Sequence, residues 1–261
     1  MQKKSIRQRL AGAAAAVLVV IAPAAAQAAQ ACNTLGANDR VVALNAIGNL
    51  MGRYSHLGTL RGEGTLAELF ALKTEGVSWK TPGGPVGVEA MRARFARPDE
   101  VPTPGVLHMH AMLTPVIEIA GDGKTAKGVW DSFGPNITNP DKVGNWLWVK
   151  YAVDFVKEDG VWKIWHLQVN PVFNTPYDRS VTQTAKDRAG RSDRGEPGGP
   201  GADAPPPGAA AAGAAPPPPG GPASRPGYVM PKNLWVYDGK SAPRGPYVPE
   251  PYCHFDPKTA Y

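Results

Sequence analysis

The stretch that most constrains the fold is Asn145 to Asn170, NWLWVKYAVDFVKEDGVWKIWHLQVN. Two runs rich in β-branched and aromatic residues, Trp146 to Val156 and Val161 to Val169, flank Lys157-Glu158-Asp159-Gly160. An Asp-Gly between two such runs is the strongest short-range hairpin signal, because the tight turn needs positive φ and matches the twist of its strands. The spacing predicts a long antiparallel hairpin. With Lys150 and Lys163 facing solvent, the two-residue period turns Leu147, Val149, Tyr151, Val153 and Phe155 inward. On the second strand the same count turns Trp162, Ile164, His166 and Gln168 inward. That face begins as core and ends polar. A buried His beside a Gln needs hydrogen-bond partners or a cavity, since an unsatisfied buried polar group costs about 1–3 kcal/mol.

The rest of the chain supplies what could close such a cavity. Asp39 to Tyr54 carries apolar residues at Val42, Leu44, Ile47, Leu50, Met51 and Tyr54, a helical spacing with Asn38 as N-cap. Thr65 to Leu72 reads as a second, short helix with Glu68 completing a capping box. Ser55 to Gly64 between them reads as a loop. Gly76 to Lys80 reads as a short strand, and Val88 to Ala96 as a third helix. Val106 to Ala120 and Thr125 to Phe133 read as strands joined by Gly121-Asp122-Gly123-Lys124, another hairpin turn. Helices followed by strands argue an α+β class, with three N-terminal helices packed on a strongly curved antiparallel sheet. Its length suffices for one core.

The two ends differ from this middle. Residues 1–31 have a basic start (Lys3, Lys4, Arg7, Arg9), an apolar run from Leu10 to Ala24 and an Ala26-Gln27-Ala28 cleavage pattern, which reads as a signal peptide for export to the periplasm. Removing four basic residues lowers the formal charge from +6 to +2 (6 − 4), so nothing asks for nucleic acid. No later stretch approaches a membrane span. Cys32 and Cys253 are the two cysteines, and in an oxidising compartment a disulfide between them is expected. Residues 32–180 form the expected domain. Residues 181–226, rich in Pro, Ala and Gly, read as a disordered linker. Residues 227–261 regain Trp235, Tyr237, Tyr247, Tyr252 and Phe255 and read as an aromatic strap docked on the domain.

The segments RVVALNAIGNLMGRY, TLAELFALKTEGVSW, VGVEAMRARF, HMHAMLTPVIEIAGDGKTAKGVW and KYAVDFVKEDGVWKIWHLQV together resemble the SnoaL-like branch of the nuclear transport factor 2-like superfamily. The resemblance implies a cone-shaped α+β barrel (a cystatin-like architecture) around one apolar pocket, often in a homodimer. It also implies cofactor-free lyase, dehydratase or isomerase chemistry, or a ligand-binding module without catalysis. Tyr54 matches the family's Tyr at the end of the first helix, and His108 or His110 its strand His. The family's usual Asp after that Tyr is missing: Gly58 and Thr59 stand there, with His56 nearby.

His108 and His110 are two apart and share a strand face. A strict parity count from Glu118 turns them outward, and a bulge at Thr114-Pro115 would reverse the phase. No carboxylate or Cys stands at ligand spacing beside them, so no metal is expected. His166, Asp131 and Asp154 complete the candidate acids and bases, with Tyr54 as hydroxyl donor. Trp130, Trp146, Trp148, Tyr151, Trp162 and Met112 are the candidate walls for a small, flat hydrophobic molecule.

Overall fold

The computed structural model describes residues 34–60, 63–81, 84–96, 104–137, 143–193, 236–243 and 245–261. The signal-like residues 1–31, Cys32, Trp235 and most of the Pro-rich linker lie outside them. The first helix, α1 (Ala37–Leu60), buries Ala43, Ile47, Leu50, Met51 and Tyr54 along one stripe and leaves Val42 at the surface. It runs beyond the expected end at Tyr54 because Leu57 still packs on the core and the Thr59 hydroxyl caps back onto the Ser55 carbonyl. The expected second helix is instead a 3-10 helix (Glu63–Leu69). It stops early because Phe70 bridges to Ile164 and the Ala71 N–H donates to the Ile164 carbonyl. Strands β1 (Ser78–Thr81) and β2 (Gly84–Gly87) form a small hairpin, followed by α2 (Val88–Phe95), which buries Met91 and Phe95.

The remaining strands are β3 (Leu107–His108), β4 (Leu113–Ile119), β5 (Thr125–Ile137), β6 (Asn145–Glu158) and β7 (Val161–Pro176). They give the order β2-β1-β7-β6-β5-β3, with β4 also on β5. The α+β class stands, but the sheet is mixed, not purely antiparallel: β1 runs parallel to β7, with Trp79 opposite Leu167. Turn chemistry signals hairpins locally, whereas this pairing joins strands far apart in sequence and leaves no local trace. Residues 181–193 also depart from the expected linker. They form α3 (Val181–Asp193), which docks through Thr184 to Thr175 and buries Ala185.

The central hairpin closes at Asp159-Gly160, both at positive φ (52° and 79°), as a type I′ turn demands. On β6, Leu147, Val149, Tyr151, Val153 and Phe155 all enter the core, as the alternation requires. On β7 the phase changes. Phe155 pairs with Ile164 but Asp154 pairs with His166, so Trp165 is an extra residue, a β-bulge. Trp162 and Ile164 therefore face inward, while His166 and Gln168 lie on the outer face and Leu167 takes the inner one. Their expected inward orientation is corrected by that single bulge.

Residues 245–261 cover this outer face. The carbonyls of Tyr252 and Cys253 accept from the N–H groups of Gly121 and Asp122, and the Tyr252 hydroxyl meets Thr125. Phe255 packs on Trp165, with ring centroids 4.6 Å apart. The Lys127 ammonium donates to the Thr259 carbonyl (2.7 Å), and the Tyr261 N–H donates to Asp154 Oδ2 (2.8 Å).

Candidate active site

Two local irregularities aim the paired His residues. Thr114 has φ 46°, a left-handed conformation that a β-branched residue adopts only under constraint, and the β4–β5 register slips between Leu113 and Val116. The bulge foreseen at Thr114-Pro115 is there. Leu107 and Met109 are exposed, and the alternate positions His108 and His110 turn toward the core side. Gly134 makes the close approach possible: a Cβ there would lie 2.5 Å from the Met109 carbonyl oxygen.

His110 Nδ1 lies 3.1 Å from the Tyr151 hydroxyl, and the imidazole stands edge-on to that ring at 89°. Tyr151 is fully buried and packs edge-on against Tyr54, with centroids 5.9 Å apart. The Ser55 hydroxyl, one residue beyond Tyr54 on α1, donates to the His110 carbonyl and fixes the strand to the helix. Burial, and then the neighbouring His108, pushes the His110 imidazole down to about 4. His110 is thus neutral at physiological pH and able to accept a proton at the ring nitrogen that carries no hydrogen. Across β3, His108 pairs with Asn136, and across β5 Asn136 pairs with Asn145.

The candidate set of residues is split between two faces. His108, His110, Tyr54, Tyr151, Trp130, Trp162 and, at its edge, Met112 belong to the inner side. Trp130 and Trp162 are core side chains there, Trp130 packing on Phe155. His166, Asp131, Trp146 and Trp148 are on the outer side. His166 Nδ1 is 2.8 Å from Asp154 Oδ2, and Asp154, fully buried, also accepts from Lys127 Nζ at 2.8 Å. Asp131 accepts from Lys150 (2.6 Å) and from the Trp148 indole (3.0 Å). Burial pushes the Asp131 carboxyl up, but Lys150, Trp148 and Thr114 outweigh it and hold the group below the usual carboxylate range. An Asp held by an ammonium and an indole is a structural anion, not a base for the inner site. Trp146 and Trp148 stack and edge onto Phe133 at the surface, so neither walls the inner side.

Sequence reasoning missed Ser55, Asn136 and Asn174. The first was hidden by reading Ser55 to Gly64 as a loop. The two Asn residues were hidden by ending the strands at Phe133 and Val169; continuing the two-residue count past Pro135 would have put Asn136 on the inner face.

The described residues include a groove and a crevice. An open groove of about 640 Å³ follows α1 past Asn49, Gly52, Arg53, His56 and Leu57. A crevice of about 110 Å³ lies between Pro246 and Val248 and the sheet residues Thr114, Val116, Val129, Asp131 and Lys150, with Trp130 reaching its floor. Part of the interior is occupied by rings: Phe70, Trp79 and Phe95 lie 5.4–6.1 Å apart, and Tyr54 joins Phe70 to Tyr151. Among the described residues, no group of three His, Cys, Asp or Glu could hold a metal ion, and no helix is long and apolar enough to cross a membrane.

Helices on one side of a curled sheet, with a His and a Tyr meeting on the concave face, define a cone-shaped domain of the nuclear transport factor 2-like fold. Residues 39–168 match the SnoaL-like domain, and through them the chain belongs to that family. No curated protein matches it. Among solved structures, a protein provisionally named scytalone dehydratase from Novosphingobium aromaticivorans is similar, with TM-score 0.46 and 19% identity over 56% of this chain and 95% of that one. A type 2 hexachlorocyclohexane dehydrochlorinase, LinA, has TM-score 0.45 and 19% identity over 56% and 95%. The type 3 LinA of Novosphingobium barchaimii has TM-score 0.45 and 20% identity over 56% and 97%. Likeness at this level concerns the fold and says nothing about the reaction.

Proposed function

We propose that this domain is a cofactor-free acid–base lyase, dehydratase or isomerase, with His110 as its proton acceptor. The observation that carries this reading is the contact between His110 Nδ1 and the buried Tyr151 hydroxyl. In the tautomer whose Nδ1–H donates to the Tyr151 oxygen, Nε2 is the bare nitrogen left to work, and Tyr151 orients the ring as a third group orients a catalytic base. In a dehydration, Nε2 would take a proton from carbon beside a carbonyl. The electron pair left behind forms the double bond as the β-hydroxyl departs, and the imidazolium returns its proton to that hydroxyl as water. An imidazole titrating near 4 is a weak base. The substrate is therefore one whose C–H or O–H is already acidified, such as a small aromatic, polyketide or steroid-like ketone or phenol. His108 stands beside it on the same strand face, and Tyr54 packs edge-on against Tyr151. The leader-like pattern of residues 1–31 supports action in the periplasm.

A second reading, a ligand-binding or assembly module without catalysis, is favoured by the rings that occupy part of the interior and by cavities that lie elsewhere. Incubation of the full chain with a panel of activated ketones and phenols, followed by mass spectrometry, separates the two. The enzyme reading expects turnover that falls about 10²–10⁴-fold in His110→Gln with binding retained. Turnover equal in His110→Gln and wild type would remove His110 from the chemistry, and binding with no turnover across the panel would favour the module.

A further inference from the structure

At the far end of the inner face, two side-chain oxygens are buried without a hydrogen-bond partner: Asn136 Oδ1 and Asn174 Oδ1. Asn136 is only 4% exposed. Both belong to the same side of the sheet. Leu147, a core residue, pairs with Gly134 on β5 and with Asn174 on β7, so Asn174 shares its face. Asn136 is two residues beyond Gly134 and takes the same face, opposite Asn145. On its other flank Asn136 pairs with His108, two residues from His110. The two oxygens thus flank one end of the strip on which His110 stands.

Buried polar atoms in folded proteins are almost always satisfied, and each exception calls for an explanation. An uncharged amide oxygen accepts hydrogen bonds and nothing else, so what completes it is an O–H or N–H donor. We propose that Asn136 and Asn174 form the specificity end of the site and receive donors from the ligand whose reacting end meets His110. The ligand is then a hydroxylated or amide-bearing ring compound, not a bare hydrocarbon. This rests on the acid–base reading for where the ligand's other end lies. It narrows the substrate class, because a site built to bond a hydroxyl strongly rejects the analogue that lacks one.

Binding of 2,7-dihydroxynaphthalene and 2,7-dimethoxynaphthalene to the full chain, measured by calorimetry, tests this without any need for turnover. Wild type binds the dihydroxy compound at least tenfold more tightly. Asn136→Leu and Asn174→Leu each shrink that preference to threefold or less, leave the dimethoxy affinity unchanged, and do not lower the unfolding temperature, because Leu removes an orphaned acceptor. Asn136→Ser, which keeps polarity but is too short to reach, behaves like Asn136→Leu and covers the case in which the Leu variant fails to fold. Equal affinity for the two probes in wild type, no binding of the dihydroxy compound at millimolar concentration, or a preference that survives in both Asn variants overturns the proposal. A preference that persists in His110→Gln while the turnover panel stays silent keeps this subsite and rejects the acid–base reading.

Discussion

Acidification should weaken this fold through His110 in a way that can be worked out in advance. The folded protein holds the imidazole near 4, against 6.5 when unperturbed. Above pH 6.5 the group is neutral in both folded and unfolded chains and contributes no pH dependence. Between 6.5 and 4 the unfolded chain binds a proton that the folded chain refuses, so stability falls as pH falls, at about 1.4 kcal/mol per pH unit. Below 4 both states are protonated and the loss levels off. The full loss amounts to roughly 3 kcal/mol. Because other His residues and carboxylates also titrate, the informative quantity is a difference: urea unfolding of wild type and of His110→Gln at pH 7.0, 5.5 and 4.0. The gap between them should change by about 3 kcal/mol over that range in favour of the variant, with most of the change below pH 6. A gap constant to within about 1 kcal/mol would mean that burial does not keep the imidazole unprotonated, and the neutral-base argument would go with it.

Three further outcomes follow from the outer face and the strand crossing. Asp154→Ala leaves the buried Lys127 ammonium unpaired and deprives the Tyr261 N–H of its acceptor. It should cost about 3–5 kcal/mol and make residues 245–261 protease-sensitive, whereas Lys127→Met with Asp154→Leu should recover most of the thermal stability. Gly134→Ala places a Cβ 2.5 Å from the Met109 carbonyl. Its expected effects are a loss of about 1–3 kcal/mol and a His110 titration displaced toward 6.5 in NMR. The Gly121-Asp122 turn hydrogen-bonds both Thr34, two residues along the sequence from Cys32, and the Tyr252–Cys253 pair. Peptide mapping without reductant should recover a Cys32–Cys253 crosslink, and Cys253→Ser should lower stability by about 2–4 kcal/mol. Free thiols at both positions in protein isolated without reductant would contradict this.

The sequence by itself determined whatever is decided over a few residues. The Asp159-Gly160 and Gly123 turns fix two hairpins, because positive φ is a local demand. The apolar stripe of α1 fixes the helix face that carries Tyr54, and the alternation along β6 fixes Tyr151 inward. Thr114-Pro115 announced the bulge that turns His108 and His110 to the inner side. Only the tertiary structure decided the rest. One extra residue at Trp165 moved His166 to the outer face, since a two-residue period has no tolerance for a single insertion. The parallel pairing of β1 with β7 depends on contacts between strands nearly ninety residues apart. The meeting of Tyr151 with His110, and the burial of Asp154 beneath Tyr261, bring together groups that no local pattern couples. Their partners are chosen by the path of the backbone in space, and a lost hydrogen bond or an unpaired charge then makes each choice costly to reverse.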